Sequence, residues 1–281
     1  MYTIDPSDHV DDEADRLADD ALAERFDALP WETLAITPTE CMQRYVGAPI
    51  EVHGASGSVA IRFDEQMLQR AAVKYGTAIA HTKQLADHLA RRYRANRPGE
   101  TYDLEMSVDE TTHPTQPREH FFVAAELDRL GVHVTSLAPR FVGDFQKGID
   151  FIGDRDAFEE AFAQHARIAG ALGDYKLSIH SGSDKFSVYP IMGRHAGDRL
   201  HLKTAGTSYL EALRVAARHA PDLLRAIVAF AFERFEADRK TYHVTTDLDA
   251  IPDPSDVSDD ELETTYLGDA DGRQLLHLTY G

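Results

Sequence analysis

The sequence predicts an α/β protein of the (β/α)8 TIM-barrel class, incomplete at its termini and carrying an inserted β-hairpin near residues 49–63. Three observations lead there. Strand-like and helix-like stretches alternate through most of the 281 residues, a pattern that helical crossovers turn into a parallel sheet. No GxGxxG follows a strand and no GxxxxGK[ST] occurs, which removes the main sequence support for a nucleotide-binding open sheet. Polar residues recur where apolar strands end: Asp109-Glu110, Arg140, His180-Ser181-Gly182, Lys203-Thr204 and Asp247. In a barrel those positions converge on the face where active sites are built.

The elements follow in order. Tyr2–Asp5 is a short apolar strand closed by Pro6, and an acidic helix is expected over Asp11–Phe26. PIEVHG and SVAIRF, joined by Gly54-Ala-Ser-Gly57, read as a hairpin. Glu65–Asn96 has helical spacing at Leu68, Ala72, Tyr75, Ile79, Leu85 and Leu89. Strand TYDLEMSVDE, helix Glu119–Leu130 and strand VHVTSLAP come next. Helix Asp156–Leu172 leads to strand YKLSIHSG, and strand RLHLKTAG leads to helix Ser208–Arg218. Helix Pro221–Asp238 precedes strand KTYHVTT, and RQLLHLTYG is expected as a closing strand. Excluding the hairpin, these are about seven barrel strands, with no helix after the last. The expected organisation is therefore one catalytic domain over 1–281, a fragment of a longer protein.

Composition narrows the partners. Forty-eight acidic residues against 29 basic ones leave a net charge of −19, which repels phosphate backbones and anionic lipid. No nucleic acid and no membrane are expected, while a homo-oligomer is allowed. No apolar run approaches the roughly 20 residues that span a bilayer. A single cysteine, Cys41, and the absence of a signal-peptide pattern point to the reduced cytoplasm. The charge comes from 30 Asp and 18 Glu, set against 22 Arg and only 7 Lys. Such acidity suits a high-salt source. Biased genomic base composition explains the Arg excess equally well.

The chemistry-bearing residues fall in five groups. LSIHSGSDKFSVYP (177–190) opens a strand into His180, then the small residues Ser181 and Gly182, then Asp184-Lys185. Small residues admit a ligand to the backbone, although a Ser/Gly turn beside an exposed ion pair reads the same way. Lys203 ends an apolar strand, with Thr204 beside it. Facing a barrel interior it must be paired or catalytic, because an unpaired buried ammonium costs several kcal/mol; facing out it is an ordinary surface lysine. Asp109 and Glu110 close a third strand, offering one carboxylate for a divalent metal and one for a base, or merely loop and cap acids. Arg140 ends a fourth strand and suits a bidentate grip on a carboxylate or phosphate; pairing with Asp144 is the alternative. His243 and His277, each on an expected late strand, complete the imidazole-plus-carboxylate chemistry of a metal site, although lone strand histidines are commonly satisfied core residues.

These strings together resemble the tagaturonate/fructuronate epimerase family. The likeness lies in residues 108–154 (VDETTHPTQPREHFFVAAELDRLGVHVTSLAPRFVGDFQKGIDFIGD), in LSIHSGSDKFSVYP, LKTAGTSYLEALR and RQLLHLTYG, and in the opening YTIDPSDHV. It spans most of 60–281 in order. The resemblance implies a metal-dependent (β/α)8 enzyme that interconverts D-tagaturonate and D-fructuronate at C4, in a chain longer than this one at both ends. It implies a divalent metal (Mn, Ni or Zn) on Glu110, His243 and His277, with His180 as reserve ligand or catalytic group. Asp109 then serves as base and Lys203 as acid or enediolate stabiliser. Arg140 and Lys185, with the hydroxyls of Ser181 and Thr204, hold an anionic sugar acid. Rival readings are a metal-dependent aldolase or isomerase on another sugar acid, a Schiff-base enzyme using Lys203, and a sugar-acid-binding relative without turnover.

Overall fold

The computed structural model describes residues 1–54, 57–204 and 206–280. The chain divides into two compact units. The first comprises Met1–Gly143, Asp154–Ser178 and Ile191–His201; the second comprises Asp144–Gly153, Ile179–Pro190 and Leu202–Gly281.

The first unit is organised by a mostly parallel sheet. Strands β1 (Tyr2–Ile4), β4 (Leu104–Val108), β5 (Ser136–Pro139), β6 (Lys176–Ile179) and β7 (Leu200–Leu202) lie in that order. β1 pairs with β4, β4 with β5 and β5 with β6, all parallel. β4 and β5 are buried along their whole length, as parallel strands covered on both faces should be. β2 (Ile50–Gly54) and β3 (Gly57–Ile61) form the expected antiparallel hairpin, in register Ile50 to Ile61 and Val52 to Val59. Its turn residues Ala55 and Ser56 lie outside the described residues, as do Ala205 and Gly281. The sheet and hairpin establish a mixed α/β class; an eight-stranded closed barrel is not formed by the described residues.

Helix ends follow their caps. α4 (Glu65–Asn96) runs over the expected residues, begun by Asp64, whose carboxylate accepts from the Met67 N–H at 2.7 Å. α5 (Pro117–Arg129) starts at a proline behind a Gln116/Glu119 capping box. α6 (Arg155–Ala171) is capped by Asp154. The acidic helix expected over 11–26 is instead a 3₁₀ turn, Asp12–Asp15, followed by α1 (Asp19–Asp27). The Asp11 carboxylate accepts from the Glu13 N–H at 3.1 Å and closes the first turn early. Three short helices escaped the sequence reading: α2 (Trp31–Leu34), α3 (Pro38–Tyr45) and α7 (Tyr189–Ala196). The Thr37–Glu40 capping box of α3 was its available signal.

The second unit is helical. α8 (Ser208–His219), α9 (Pro221–Asp238) and α10 (Ala270–Leu278) enclose a core that includes Leu210, Leu224, Val228, Phe235, Tyr266 and Leu275. Two expected strands are absent here. KTYHVTT is a 3₁₀ turn, Arg239–Thr241, followed by irregular chain. There Thr245 donates its N–H (2.9 Å) and its hydroxyl (3.1 Å) to the side-chain oxygen of Gln146, rather than to a neighbouring strand. RQLLHLTYG is mostly α10. Its apolar run is too short for periodicity to tell strand from helix, and Asp269 caps it by accepting from the Asp271 and Gly272 N–H groups. Gly272 lets α10 lie against the preceding turn, where a Cβ would stand 2.7 Å from the Thr265 carbonyl oxygen.

Candidate functional site

In the first unit a polar row crosses the sheet. Glu105, fully buried on β4, accepts from Thr3 Oγ1 of β1 at 3.2 Å and from Ser136 Oγ of β5 at 2.8 Å. Its Oε2 also lies 2.9 Å from His201 Nδ1 of β7, and Ser178 Oγ of β6 approaches the same nitrogen at 3.3 Å. All five strands thus contribute one side chain to a polar row centred on the buried Glu105, Ser136 and Ser178, with Thr3 exposed and His201 half-buried at its ends. Sequence reasoning missed it, although the alternation Leu104-Glu105-Met106-Ser107-Val108 was its signature: two polar residues two apart share a strand face.

That face continues past β4 to Asp109, which is half-buried and accepts from Ser107 Oγ. Glu110, one residue on, is exposed, so the two adjacent carboxylates serve different surroundings. The loop that follows is anchored at both ends. Asp12 Oδ2 accepts from the Thr112 N–H and hydroxyl, both at 2.8 Å. Arg140, just past β5, donates a guanidinium N–H to the Thr111 carbonyl. Its backbone is clasped by Thr115: the Thr115 N–H reaches the Arg140 carbonyl at 2.8 Å, and the Arg140 N–H reaches Thr115 Oγ1 at 3.0 Å. The structure therefore ties Arg140 to the loop that begins with Asp109 and Glu110.

In the second unit His180 and Lys203 meet. Lys203 Nζ lies 3.3 Å from His180 Nε2. Their backbones are laddered, with the Lys203 N–H donating to the Ile179 carbonyl and the Gly182 N–H donating to the Lys203 carbonyl, both at 2.9 Å. Lys203 and Thr204 are exposed, and His180 and Ser181 are half-buried. Ser181 (φ +50°) and Asp184 (φ +59°) both adopt the left-handed region. For a non-glycine residue this costs on the order of 1–2 kcal/mol and is commonest at working sites. A Cβ on Gly182 would stand 3.1 Å from the Ile179 carbonyl oxygen, so the turn after β6 is tight as well as strained.

Lys185 is a correction. Expected to hold a substrate carboxylate, it is fully buried, and its ammonium donates to the carbonyls of Gln146 (2.8 Å), Ser183 (2.9 Å) and Ile149. An ammonium has three N–H donors, so none remains for a ligand. Burial pushes its pKa down to about 8, against the pull of Asp184 and Asp150.

The two late histidines also differ from expectation. His243 sits on irregular chain, exposed, with Nε2 4.0 Å from Asp144 Oδ2. His277 is on α10, nine-tenths buried, with Nδ1 lacking a hydrogen-bond partner. Burial, and then the charge of Lys147, hold its pKa below the usual histidine range. Among the described residues no group of three His, Cys, Asp or Glu side chains is arranged to hold a metal ion. His277, with its unpartnered nitrogen, has the character of one donor. Glu110, His243 and His277 are not a completed set.

The family model described as UxaE, tagaturonate epimerase, matches residues 1–281. The tagaturonate/fructuronate epimerase of Thermotoga maritima is 43% identical over 282 residues, covering 100% of this chain and 55% of that protein. Crystal structures of fructuronate-tagaturonate epimerase UxaE from Cohnella laeviribosi, native and with one glycerol, each superpose with a TM-score of 0.85 at 42% identity. They cover 99% of this chain and 54% of theirs. The chain spans about half the length of these relatives.

Proposed function

The chain belongs to the tagaturonate epimerase family, and from that premise we propose that it is the working part of an enzyme that interconverts D-tagaturonate and D-fructuronate by inverting C4. The observation that carries the reading is the His180–Lys203 contact at the ends of β6 and β7, where a parallel α/β sheet presents its reacting groups. We read the five strands as part of a (β/α)8 barrel and the protein as cytoplasmic.

The substrate restricts the mechanism. C4 of a 2-keto hexuronate is β to the ketone, so its hydrogen is not acidic. A base can instead take the C4 hydroxyl proton. The C3–C4 bond then breaks, leaving a three-carbon enediolate and a three-carbon aldehyde acid. Rotation of the aldehyde followed by re-formation of C3–C4 inverts C4, and the returning proton restores the hydroxyl. C4 keeps its own hydrogen throughout. Asp109, half-buried and bonded to Ser107, is the proposed base. Lys203, an ammonium aligned by His180, stabilises the enediolate oxygen, and the proton that Asp109 took returns from Asp109 to the new C4 alkoxide. Arg140 grips the uronate carboxylate, and the hydroxyls of Ser181 and Thr204 bind sugar oxygens.

A divalent metal, which would supply Lewis-acid stabilisation of the enediolate, belongs to the proposal for the family protein. The described residues do not assemble its ligand set, so no step is routed through it. Metal analysis of His243→Ala and His277→Ala proteins tests the two histidines; wild-type occupancy in both overturns them as ligands.

Product NMR after incubation with D-fructuronate and Mn²⁺, Ni²⁺ or Zn²⁺ tests the function. Tagaturonate formed in D₂O without deuterium at C4 is the expected result. Deuterium at C4 overturns the bond-cleaving route, and net accumulation of three-carbon products identifies an aldolase. Loss of activity on borohydride treatment with substrate would reveal a Schiff base on Lys203 instead.

A further inference from the structure

A line of buried side chains in the first unit leads to Arg140, and it contains none of the residues assigned above except Arg140 itself. Tyr175, His120 and His165 are each at most 3% exposed. Tyr175 OH lies 2.6 Å from His120 Nε2, and His120 Nδ1 lies 2.9 Å from His165 Nδ1. The backbone of Thr115 acts on His165 in the sense of an acceptor, raising its pKa against the effect of burial, and Thr115 is the residue that clasps Arg140 at both its N–H and its carbonyl. The His165 ring also meets Phe141 edge-on, with centroids 5.5 Å apart and planes at 87°. His165 thus holds both the partner of Arg140 and the residue after it.

We propose that Tyr175, His120 and His165 form a one-way, uncharged hydrogen-bond chain that positions Arg140. The direction follows from the end groups. The Thr115 N–H is committed to the Arg140 carbonyl, so the backbone acceptor that favours the protonated side of His165 is the Thr115 carbonyl; a carbonyl can only accept, and the outer nitrogen of His165 therefore carries a hydrogen. In a neutral ring His165 Nδ1 is then the acceptor, and His120 Nδ1 must donate to it. That leaves His120 Nε2 to accept from the Tyr175 hydroxyl. Every donor and acceptor is satisfied with no net charge, and the reverse order fails at the carbonyl. A proton added to His165 would go on Nδ1 and set two donors against each other across 2.9 Å; one added to His120 would go on Nε2 and take away the acceptor of the Tyr175 hydroxyl. Burial agrees, holding His165 down to about 4 and His120 well below the ordinary histidine range.

This positioning role rests on the reading of Arg140 as the carboxylate grip, and the experiment separates the two. In the chain labelled with ¹⁵N-histidine, long-range ¹H–¹⁵N spectra between pH 5.5 and 8 should show His120 as the Nδ1–H tautomer and His165 as the Nε2–H tautomer, unchanged. The opposite tautomers, or an imidazolium at pH 6, overturn the chain. Tyr175→Phe removes only the terminal donor and should shift the His120 resonances; unchanged spectra likewise overturn it. Binding of D-tagaturonate supplies the second readout. His165→Phe should raise Kd about tenfold, but should have no further effect once Arg140→Gln is present. Additive effects overturn the positioning role while leaving Arg140 as the grip. If Arg140→Gln alone leaves Kd unchanged, that grip falls and the positioning role falls with it.

Discussion

His180 Nε2 stands 3.3 Å from Lys203 Nζ, and the strand ladder that brings them together also binds the Gly182 N–H to the Lys203 carbonyl. Lysine can only donate and a neutral imidazole nitrogen can accept, so the contact places the ring proton of His180 on Nδ1. His180 therefore orients the ammonium.

If the pair acts as one unit, His180→Ala and Lys203→Ala should each slow epimerisation by about 10²–10³-fold, and the double variant should be no slower than the worse single one. Product NMR under identical conditions measures this. Independent, multiplicative losses would show that the contact has no catalytic meaning.

Lys185→Met should act on stability. It strands three buried carbonyls, of Gln146, Ile149 and Ser183. Each unsatisfied group costs about 1 kcal/mol or more, so the urea midpoint should fall by the equivalent of about 3 kcal/mol. An unchanged midpoint with weakened sugar-acid binding would return Lys185 to the ligand-binding role expected from sequence.

Two glycines should respond oppositely to alanine. Gly148 has φ +73°, and a Cβ there would stand 3.0 Å from His277 Cβ. The left-handed backbone and the overpacking together should cost about 2 kcal/mol or more. Gly193, exposed within α7, has nothing within 4 Å of its added Cβ, and alanine should stabilise by about 0.5–1 kcal/mol. Thermal melts of the two variants test the pair, and a Gly148→Ala melt at or above wild type would contradict the close approach.

Acid should weaken the first unit through His165. Its pKa is lowered by burial from 6.5 to about 4 in the fold. Between those values the unfolded chain takes up a proton that the folded chain refuses. Stability is therefore full above pH 6.5 and falls as pH drops toward 4, by about 3 kcal/mol from this group. Urea unfolding at pH 7.5 and 5.0 measures the fall, and His165→Phe should flatten it. An unchanged slope in that variant would assign the acid sensitivity to other groups.

Local signals were legible wherever one short segment decides the outcome. The apolar spacing of α4 and its Asp64 cap specify a helix from Glu65 to Asn96 without outside help. The alternation and turn residues of 49–63 likewise specify a hairpin. The position of His180 and Lys203 just past β6 and β7 was also readable, because two apolar strands run into them; their contact with each other was not. The family was readable from its long motifs.

Tertiary structure decided the rest. A run such as Leu275-Leu276-His277-Leu278 is apolar enough for either a strand or a helix, and only the Asp269 cap and the packing of Gly272 against Thr265 select α10. Lys185 looks like a surface cation in its own segment. It becomes a structural one because Gln146 and Ile149, nearly 40 residues earlier in sequence, bring carbonyls to it. The layer around Glu105 needs five strands to form, and the Tyr175–His120–His165 line needs two helices and the residue just before β6. Propensity and capping act over a few residues and are written in the sequence. The desolvation of a charge, and the partner that compensates for it, depend on which distant segments arrive beside it.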